Sequence, residues 1–315
     1  MEINFKEDKR TWDAFVSTSP QRSVFVYSKF LDSLLANYDL VTCYHKGKIL
    51  AGVPVIYTDS GQPVDGVFPF TQYQGMLLAD NSSQAAHSQI THEFRVLESF
   101  VAQLTARFNR FCLCHSWRLR DLRPFQWHNY HEPQHGQFKI DLRYTGILDL
   151  SRFDDFDDYL SSVRTLRRRE LKKASPVFVL GNSNDGVLLD QLHAKTFARQ
   201  KIDRTSRESK LVKSILQHAI AGGYGKMSCA TLEERPASAS VFLYDDRTAF
   251  YLFGANDPEY RDTGSATLLM MHMIKDACAR GVREIDFVGV NSPNRGDFKI
   301  SFNAELRPYF ITSIE

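Results

Sequence analysis

The chain has 315 residues, of which 24% are charged and 43% hydrophobic, with a formal net charge of +2. This is the composition of a soluble globular protein with room for two domains of ordinary size. The near-neutral balance excludes a global polyanion-binding surface, so we expect local basic sites and no DNA partner. No apolar run is long enough to span a membrane, and five cysteines without a Cys-x-x-Cys pair favour a reducing, cytoplasmic compartment.

The first half of the chain predicts an α/β unit that contains a hairpin about Lys46-Gly47-Lys48 and one long amphipathic helix. The predicted helices are Thr11–Val16, Ser28–Asn37 and Ser88–Asn109, and the predicted strands are Asp39–His45, Ile49–Tyr57 and Arg110–His115. An aromatic and histidine-rich loop, Phe125–Phe138, follows, and its histidine spacing does not match a structural zinc site.

The second half repeats this order of elements. Its helical segments are Phe153–Ala174 and part of Leu188–Arg207, and its strands are Gly225–Leu232, Ala237–Tyr244, Ala249–Gly254 and Glu284–Val290. The hairpin arms LAGVPVIY and ASASVFLY resemble each other, which indicates a degenerate internal duplication. We therefore predict two α/β domains of one type, residues 1–145 and 146–315.

The loop between the last two strands carries the strongest chemical signal. A helix N-terminus attracts phosphate, Gly264 lets the backbone approach closely, and Arg261 adds a cation. The pattern Arg261-x-x-Gly264-x-Ala266 between a strand and a helix resembles the pyrophosphate loop of the GNAT acyltransferases, which holds coenzyme A. The alternative is an ordinary helix start with Asp262 or Thr263 as its N-cap.

The order of several motifs along the chain resembles the FemAB-like, peptidoglycan bridge-forming branch of the GNAT superfamily. These motifs are Trp12-Asp-x-Phe-Val, Gln74-Gly75, Pro124-Phe-x-Trp127, Tyr144-Thr145 before Leu148-Asp-Leu150, the basic run Arg164–Lys173, Leu268-Leu269, Ile285-Asp-Phe287 and Phe298-Lys299-x-x-Phe302. The resemblance covers nearly the whole chain.

This resemblance implies an α/β fold of two tandem GNAT-like domains, each with a mixed central sheet flanked by helices. The first domain would have a degenerate donor site, because its equivalent loop, Asn81–His87, lacks glycine. The second would bind the donor, and the acceptor would lie in a cleft between the two. The expected donor is an acyl-CoA thioester, without a metal, and its expected binding residues are Phe253, Gly254, Ala255, Arg261, Gly264, Ser265 and Ala266.

Two residues are candidates for a part in the chemistry. Lys299 occupies the position of a family lysine that binds acceptor phosphate or the reacting carbonyl, and a lysine there can stabilise developing negative charge. Alternation in Phe298–Phe302 predicts that it lies on a strand. Asp286, in the strand EIDFVGV, is either a general base with a raised pKa or a buried carboxylate that bonds to backbone.

Further polar and aromatic residues are candidates for binding the acceptor. By resemblance to the family they are Tyr73, Gln74, Trp127, Tyr130, Arg164, Arg168, Arg199, Lys201 and Arg204. The alternative for the basic helix is that acids at its start and bases at its end simply complement the macrodipole. For Arg199, Lys201 and Arg204 the alternative is a solvated loop.

The sequence thus predicts an N-acyltransferase that moves an acyl group from a coenzyme A thioester to a small-molecule amine or cell-wall precursor. One alternative is an aminoacyl-tRNA-dependent aminoacyltransferase acting on a peptidoglycan precursor, with tRNA as partner. The other is a non-catalytic binding module that has kept the fold.

Overall fold

The computed structural model describes residues 1–83, 85–293 and 295–314. They fall into two units, of which one is Met1–Arg143 together with the residues from Pro308 onward, and the other is Tyr144–Arg307. The predicted division placed all residues after 145 in one domain. The segment from Pro308 instead packs with the first unit, where Ile311 pairs with Cys114.

The first unit contains a small antiparallel sheet, a long helix and a two-stranded pair. Its elements are β1 (Glu2–Asn4), α1 (Lys9–Thr18), α2 (Ser28–Leu31), β2 (Tyr38–His45), β3 (Lys48–Ile56), β4 (Leu77–Leu78), α3 (Ala86–Arg107), β5 (Phe111–Cys114) and α4 (Arg123–Gln126). The sheet order is β1-β2-β3-β4. Helix α3 buries the predicted apolar stripe, including Leu97, Val101 and Leu104, in the core of this unit.

Strand β6 (Phe138–Asp149) then leads into the second unit. The elements that follow are α5 (Phe156–Ser162), α6 (Thr165–Ala174), β7 (Val179–Asn182), α7 (Gly186–Arg199), α8 (Ser206–Ala221), β8 (Gly225–Leu232), β9 (Arg235–Tyr244), β10 (Thr248–Asn256), α9 (Ser265–Ala279), β11 (Glu284–Asp286), α10 (Arg295–Ile300) and β12 (Glu305–Ile314). The second unit thus has the expected mixed sheet, in the order β6-β11-β10-β9-β8-β7.

Helices cover this sheet because their apolar faces pack against its strands. Helix α9 is apolar almost all round and supplies Met270, Met273 and Ile274 to the main core of the unit. Gly281, just after this helix, has φ +71° and ends it in the left-handed conformation that is common for glycine at this position. Strands β10 and β11 pair in parallel, which confirms the predicted strand–helix–strand unit.

Three local predictions are wrong. The helix expected at Ser28–Asn37 ends at Leu31, and the chain then turns, with Leu35 at φ +52°. The strand expected at Glu284–Val290 ends at Asp286, because the chain turns at Val288 and Gly289, which take positive φ. The Phe298–Phe302 segment is not a strand, because Arg295–Ile300 forms helix α10.

Candidate functional site

The second unit has a split between two parallel strands. The described pairing joins Thr248–Phe250 of β10 to Glu284–Asp286 of β11. Strand β10 then continues toward Asn256 without pairing to β11. On its other side β10 pairs with β9, with a register shift that leaves Leu252 as the extra residue of a β-bulge. A bulge bends its strand and ends regular pairing, so it opens the sheet at this point.

The chain that leaves β11 is a strained turn held by one lysine. Val288 and Gly289 have φ +49° and +78°, an unfavourable conformation for a β-branched side chain. Lys299 Nζ donates hydrogen bonds to the carbonyl oxygens of Phe287, Val288 and Gly289 at 2.6, 3.2 and 2.9 Å. The three protons of the ammonium group match the three carbonyls, so this contact stabilises the turn.

The environment of Lys299 favours loss of its proton. Burial, together with the nearby Arg295 guanidinium, lowers the pKa of Lys299 to about 7, while the Asp286 carboxylate acts in the opposite direction. The ammonium also lies 5.3 Å from the centre of the Tyr251 ring, on the bulged part of β10. Lys299 therefore lies at the mouth of the split and titrates close to neutral pH.

Asp286 holds the same turn from its other side. It is 1% exposed, and its Oδ1 accepts hydrogen bonds from Thr145 Oγ1 at 2.6 Å and from the Val288 amide at 2.8 Å. The Gly289 amide in turn donates to Thr145 Oγ1. These contacts agree with the second interpretation of Asp286, a buried carboxylate that bonds to backbone. Its role as a general base stays a prediction.

Gly254 makes space for Tyr251. A Cβ at residue 254 would overlap the Tyr251 hydroxyl, so a side chain there would displace the tyrosine. Burial raises the pKa of Tyr251, which keeps its hydroxyl protonated. The neighbouring Phe253 and Ala255 are buried. The strand segment predicted to contact the donor is therefore tightly packed around one tyrosine.

The predicted pyrophosphate loop starts helix α9 and lies under helix α6. Gly264 is the N-cap, with φ +84°, and a Cβ on it would lie 3.0 Å from the Glu170 carbonyl oxygen. Thr267 Oγ1 donates to the Glu170 carboxylate at 2.6 Å. Ser265 is buried, Ala266 is half-buried and Arg261 is exposed. The N-cap that the alternative gave to Asp262 or Thr263 is thus taken by glycine.

The predicted acceptor residues of the second unit have different surroundings. The side chain of Arg204 is 8% exposed, and its guanidinium binds the carboxylate of Asp190 at 2.6 Å and the carbonyl of the same residue at 3.1 Å. Arg199 and Lys201 are exposed at the end of α7. Their binding role stays a prediction, but Arg204 also fixes α7 to the segment that follows it.

The arginines of the basic segment lie in two different environments. Arg164 is exposed and lies 3.3 Å from Asp297, and Arg168 is exposed with a hydrogen bond to Thr165 Oγ1. Arg167, which was not among the predicted binding residues, points inward instead. Its Nε donates to Ser301 Oγ at 2.7 Å, and its guanidinium lies 4.7 Å from the Phe298 ring centre.

In the first unit two of the predicted binding residues are buried and two are exposed. Tyr73, 2% exposed and at φ +57°, packs against the rings of Phe25 and Tyr309. Gln74 is also buried. Trp127 and Tyr130 are 51% and 65% exposed. Only these last two present their rings to solvent.

Three further residues line the approach to the split and were not predicted. His193, on α7, lies between the rings of Phe253 and Phe197, at 5.5 and 4.3 Å between centroids. The Arg295 guanidinium lies 5.8 Å from the Phe197 ring centre. Burial lowers the pKa of His193 to about 3, so it is neutral at pH 7. The sequence signal was the separation of His193 and Phe197 by four residues, which places both on one face of α7.

No group of three His, Cys, Asp or Glu side chains within residues 1–83, 85–293 and 295–314 is placed to hold a metal ion. Over the same residues, no helix has the length and apolar character needed to cross a bilayer.

Residues 159–299 match the family model described as an acetyltransferase (GNAT) domain. This match covers less than half of the chain. It spans the chain from α5 into α10 and includes the split strands, the α9 loop and Lys299. No curated protein matches the sequence.

Solved structures resemble the chain over almost its full length. FemX has a TM-score of 0.67 at 13% identity, with 98% of this chain and 97% of FemX covered. A tandem GNAT protein from the clavulanic acid biosynthesis pathway has a TM-score of 0.55 at 12% identity, with 100% and 98% covered. L-PGS from Bacillus licheniformis has a TM-score of 0.54 at 12% identity, with 99% and 93% covered. These matches confirm the predicted fold of two tandem GNAT-like domains.

Proposed function

We propose that the protein is an N-acyltransferase that transfers an acyl group from a coenzyme A thioester to an amine. The observation that carries the proposal is the bulged, split pair of strands β10 and β11 with Lys299 at its mouth. The family and fold are those of acyltransferases, which agrees with this reaction. The acceptor class, a small amine or cell-wall precursor, and the cytoplasmic location are further parts of the proposal.

The donor carbonyl would lie along Phe253–Ala255, where a backbone N–H can polarise it. The amine lone pair forms the new C–N bond, and collapse of the tetrahedral oxyanion breaks the C–S bond. The amine loses one proton, and the leaving thiolate gains one. Holding both reactants beside each other would supply much of the rate.

Lys299 would act on this reaction in one of two ways that its contacts define. With all three protons on carbonyl oxygens, it positions the turn after β11 and thereby the wall of the split. Release of the longest contact, to the Val288 carbonyl at 3.2 Å, would free one N–H for the oxyanion. Its pKa of about 7 also suits proton delivery to the thiolate.

A second candidate is an aminoacyl-tRNA-dependent transfer, and one observation favours it. Helix α6 packs directly on the Gly264 loop and presents a run of bases beside it. A helix in this position narrows access to the α9 N-terminus from that side, and FemX is among the similar structures. This alternative predicts tRNA binding that weakens steeply with salt.

Thermal unfolding with millimolar coenzyme A, acetyl-CoA and longer acyl-CoAs tests the donor. A ligand that binds only the folded protein raises the midpoint by mass action. We expect a rise that Arg261→Ala reduces, whereas Arg235→Ala, which removes an exposed arginine from the β8–β9 hairpin, leaves it unchanged. No rise with any thioester would contradict the proposal, and salt-sensitive binding of charged tRNA would then support the alternative.

A further inference from the structure

One face of helix α6 is open to solvent and carries bases and aliphatic groups together with the hydroxyl of Thr165. Leu166, Arg169 and Lys173 lie at i, i+3 and i+7, so they form one stripe, flanked by the exposed Arg168 and Lys172. Leu166 is 58% exposed, although leucine is usually buried. The exposed face of α6, called the α6 face below, consists of Leu166, Arg168, Arg169, Lys172, Lys173 and the 45% exposed Val177 in the turn after the helix.

Within residues 1–83, 85–293 and 295–314, no carboxylate forms an ion pair with the bases of the α6 face. The one carboxylate of this helix, Glu170, turns inward and accepts hydrogen bonds from Arg167 and Thr267. Among the ion pairs of the described residues, none includes Arg169, Lys172 or Lys173. Capping of the helix dipole needs only bases near its last turn, so four uncompensated charges exceed that need.

We propose that the α6 face docks on the surface of a bilayer rich in anionic lipid. The bases would meet lipid phosphates, and Leu166 and Val177 would enter the boundary between headgroups and acyl chains. A surface for single-stranded RNA would instead interleave bases with aromatic rings for stacking, and this face has no aromatic residue. The aliphatic groups therefore favour lipid over nucleic acid. The inference does not depend on the proposed acyl transfer.

Sedimentation of the full-length protein with vesicles tests this docking. We expect binding to vesicles of equal parts phosphatidylglycerol and phosphatidylcholine, and none to phosphatidylcholine alone. Removing two bases by Arg169→Gln with Lys173→Gln should weaken binding about 30-fold, since each base near an anionic surface contributes about 1 kcal/mol. The matched control is Lys46→Gln with Lys48→Gln, which removes two exposed charges from the β2–β3 hairpin and should not change binding.

Leu166→Ser separates the apolar part from the charge. It should weaken vesicle binding while the dependence on salt stays that of the unaltered protein, because no charge is lost. Equal sedimentation with both vesicle types would overturn the proposal. So would equal loss in the control pair, or gel retardation of tRNA that the Arg169/Lys173 variant abolishes while vesicle binding persists. Circular dichroism confirms that each surface variant folds.

Discussion

Acid should destabilise the first unit through one buried imidazole. His115 is fully buried, and its Nδ1 accepts the Met76 amide proton at 3.3 Å. The ring proton therefore sits on Nε2, which donates to Thr312 Oγ1 at 2.9 Å. A second proton on Nδ1 would face another N–H donor. Burial lowers the pKa of His115 to about 3, so the folded protein keeps this ring neutral.

The size of the effect follows from linkage. The unfolded chain binds a proton at His115 below its ordinary pKa of 6.5, and the folded chain does so only near pH 3. Between these values the unfolded state holds more protons, so stability rises with pH and is lost as pH falls below 6.5. From pH 7 to pH 5 the loss from this residue is about 2 kcal/mol of unfolding free energy.

Urea unfolding followed by tryptophan fluorescence measures this loss of unfolding free energy in the first unit. The three tryptophans of the chain, Trp12, Trp117 and Trp127, all belong to the first unit, so His193 in the second unit contributes little to the signal. His115→Gln keeps an acceptor and a donor but does not titrate. We expect the unaltered protein to lose about 2 kcal/mol more than this variant from pH 7 to pH 5. Equal losses would refute the assignment.

Two other substitutions test the packing of the second unit. Gly264→Ala should lower the unfolding free energy by about 1–2 kcal/mol, because it puts a side chain at φ +84° against a backbone carbonyl of α6. Gly181→Ala, with open space around residue 181, is the control in thermal denaturation and should cost less. Arg204→Met should cost about 3 kcal/mol in urea unfolding, because it leaves the Asp190 carboxylate without its ion pair. Arg199→Met, at an exposed position, should cost almost nothing, and similar losses in the two arginine variants would contradict this reasoning.

The parts of the fold that the sequence predicts are those with a single strong period. The hairpin about Lys46–Lys48, the long helix α3 and the strand–helix–strand unit around α9 are present close to their predicted bounds. Gly281, just after α9, also takes the left-handed conformation that is expected of a glycine at the end of a helix. Such features depend on neighbours in the chain, so local pattern is enough to find them.

The candidate site depends on contacts between distant residues, and there the pattern was ambiguous. Phe298 and Phe302 are two periods apart on a strand but also i and i+4 on a helix, and their rings pack at 5.0 Å. The turn at Val288, just after β11, is stabilised by Lys299, which lies eleven positions later and binds the Val288 carbonyl. Arg167 was missed for another reason. It stands in a run of charged residues, but it lies on the apolar side of the helix with Leu171.

The return of the last strand to the first unit bears on how the chain is made. Residues from Pro308 supply the pairing partner of β5, and Thr312 supplies the hydroxyl that binds His115. A ribosome therefore releases every residue of the second unit before it releases the strand that completes the first. The second unit can form during synthesis, whereas the unit that precedes it in the chain must wait. For the same reason, an expressed fragment of residues 1–143 would lack one strand, its pairing with β5 and the hydrogen bond between His115 and Thr312.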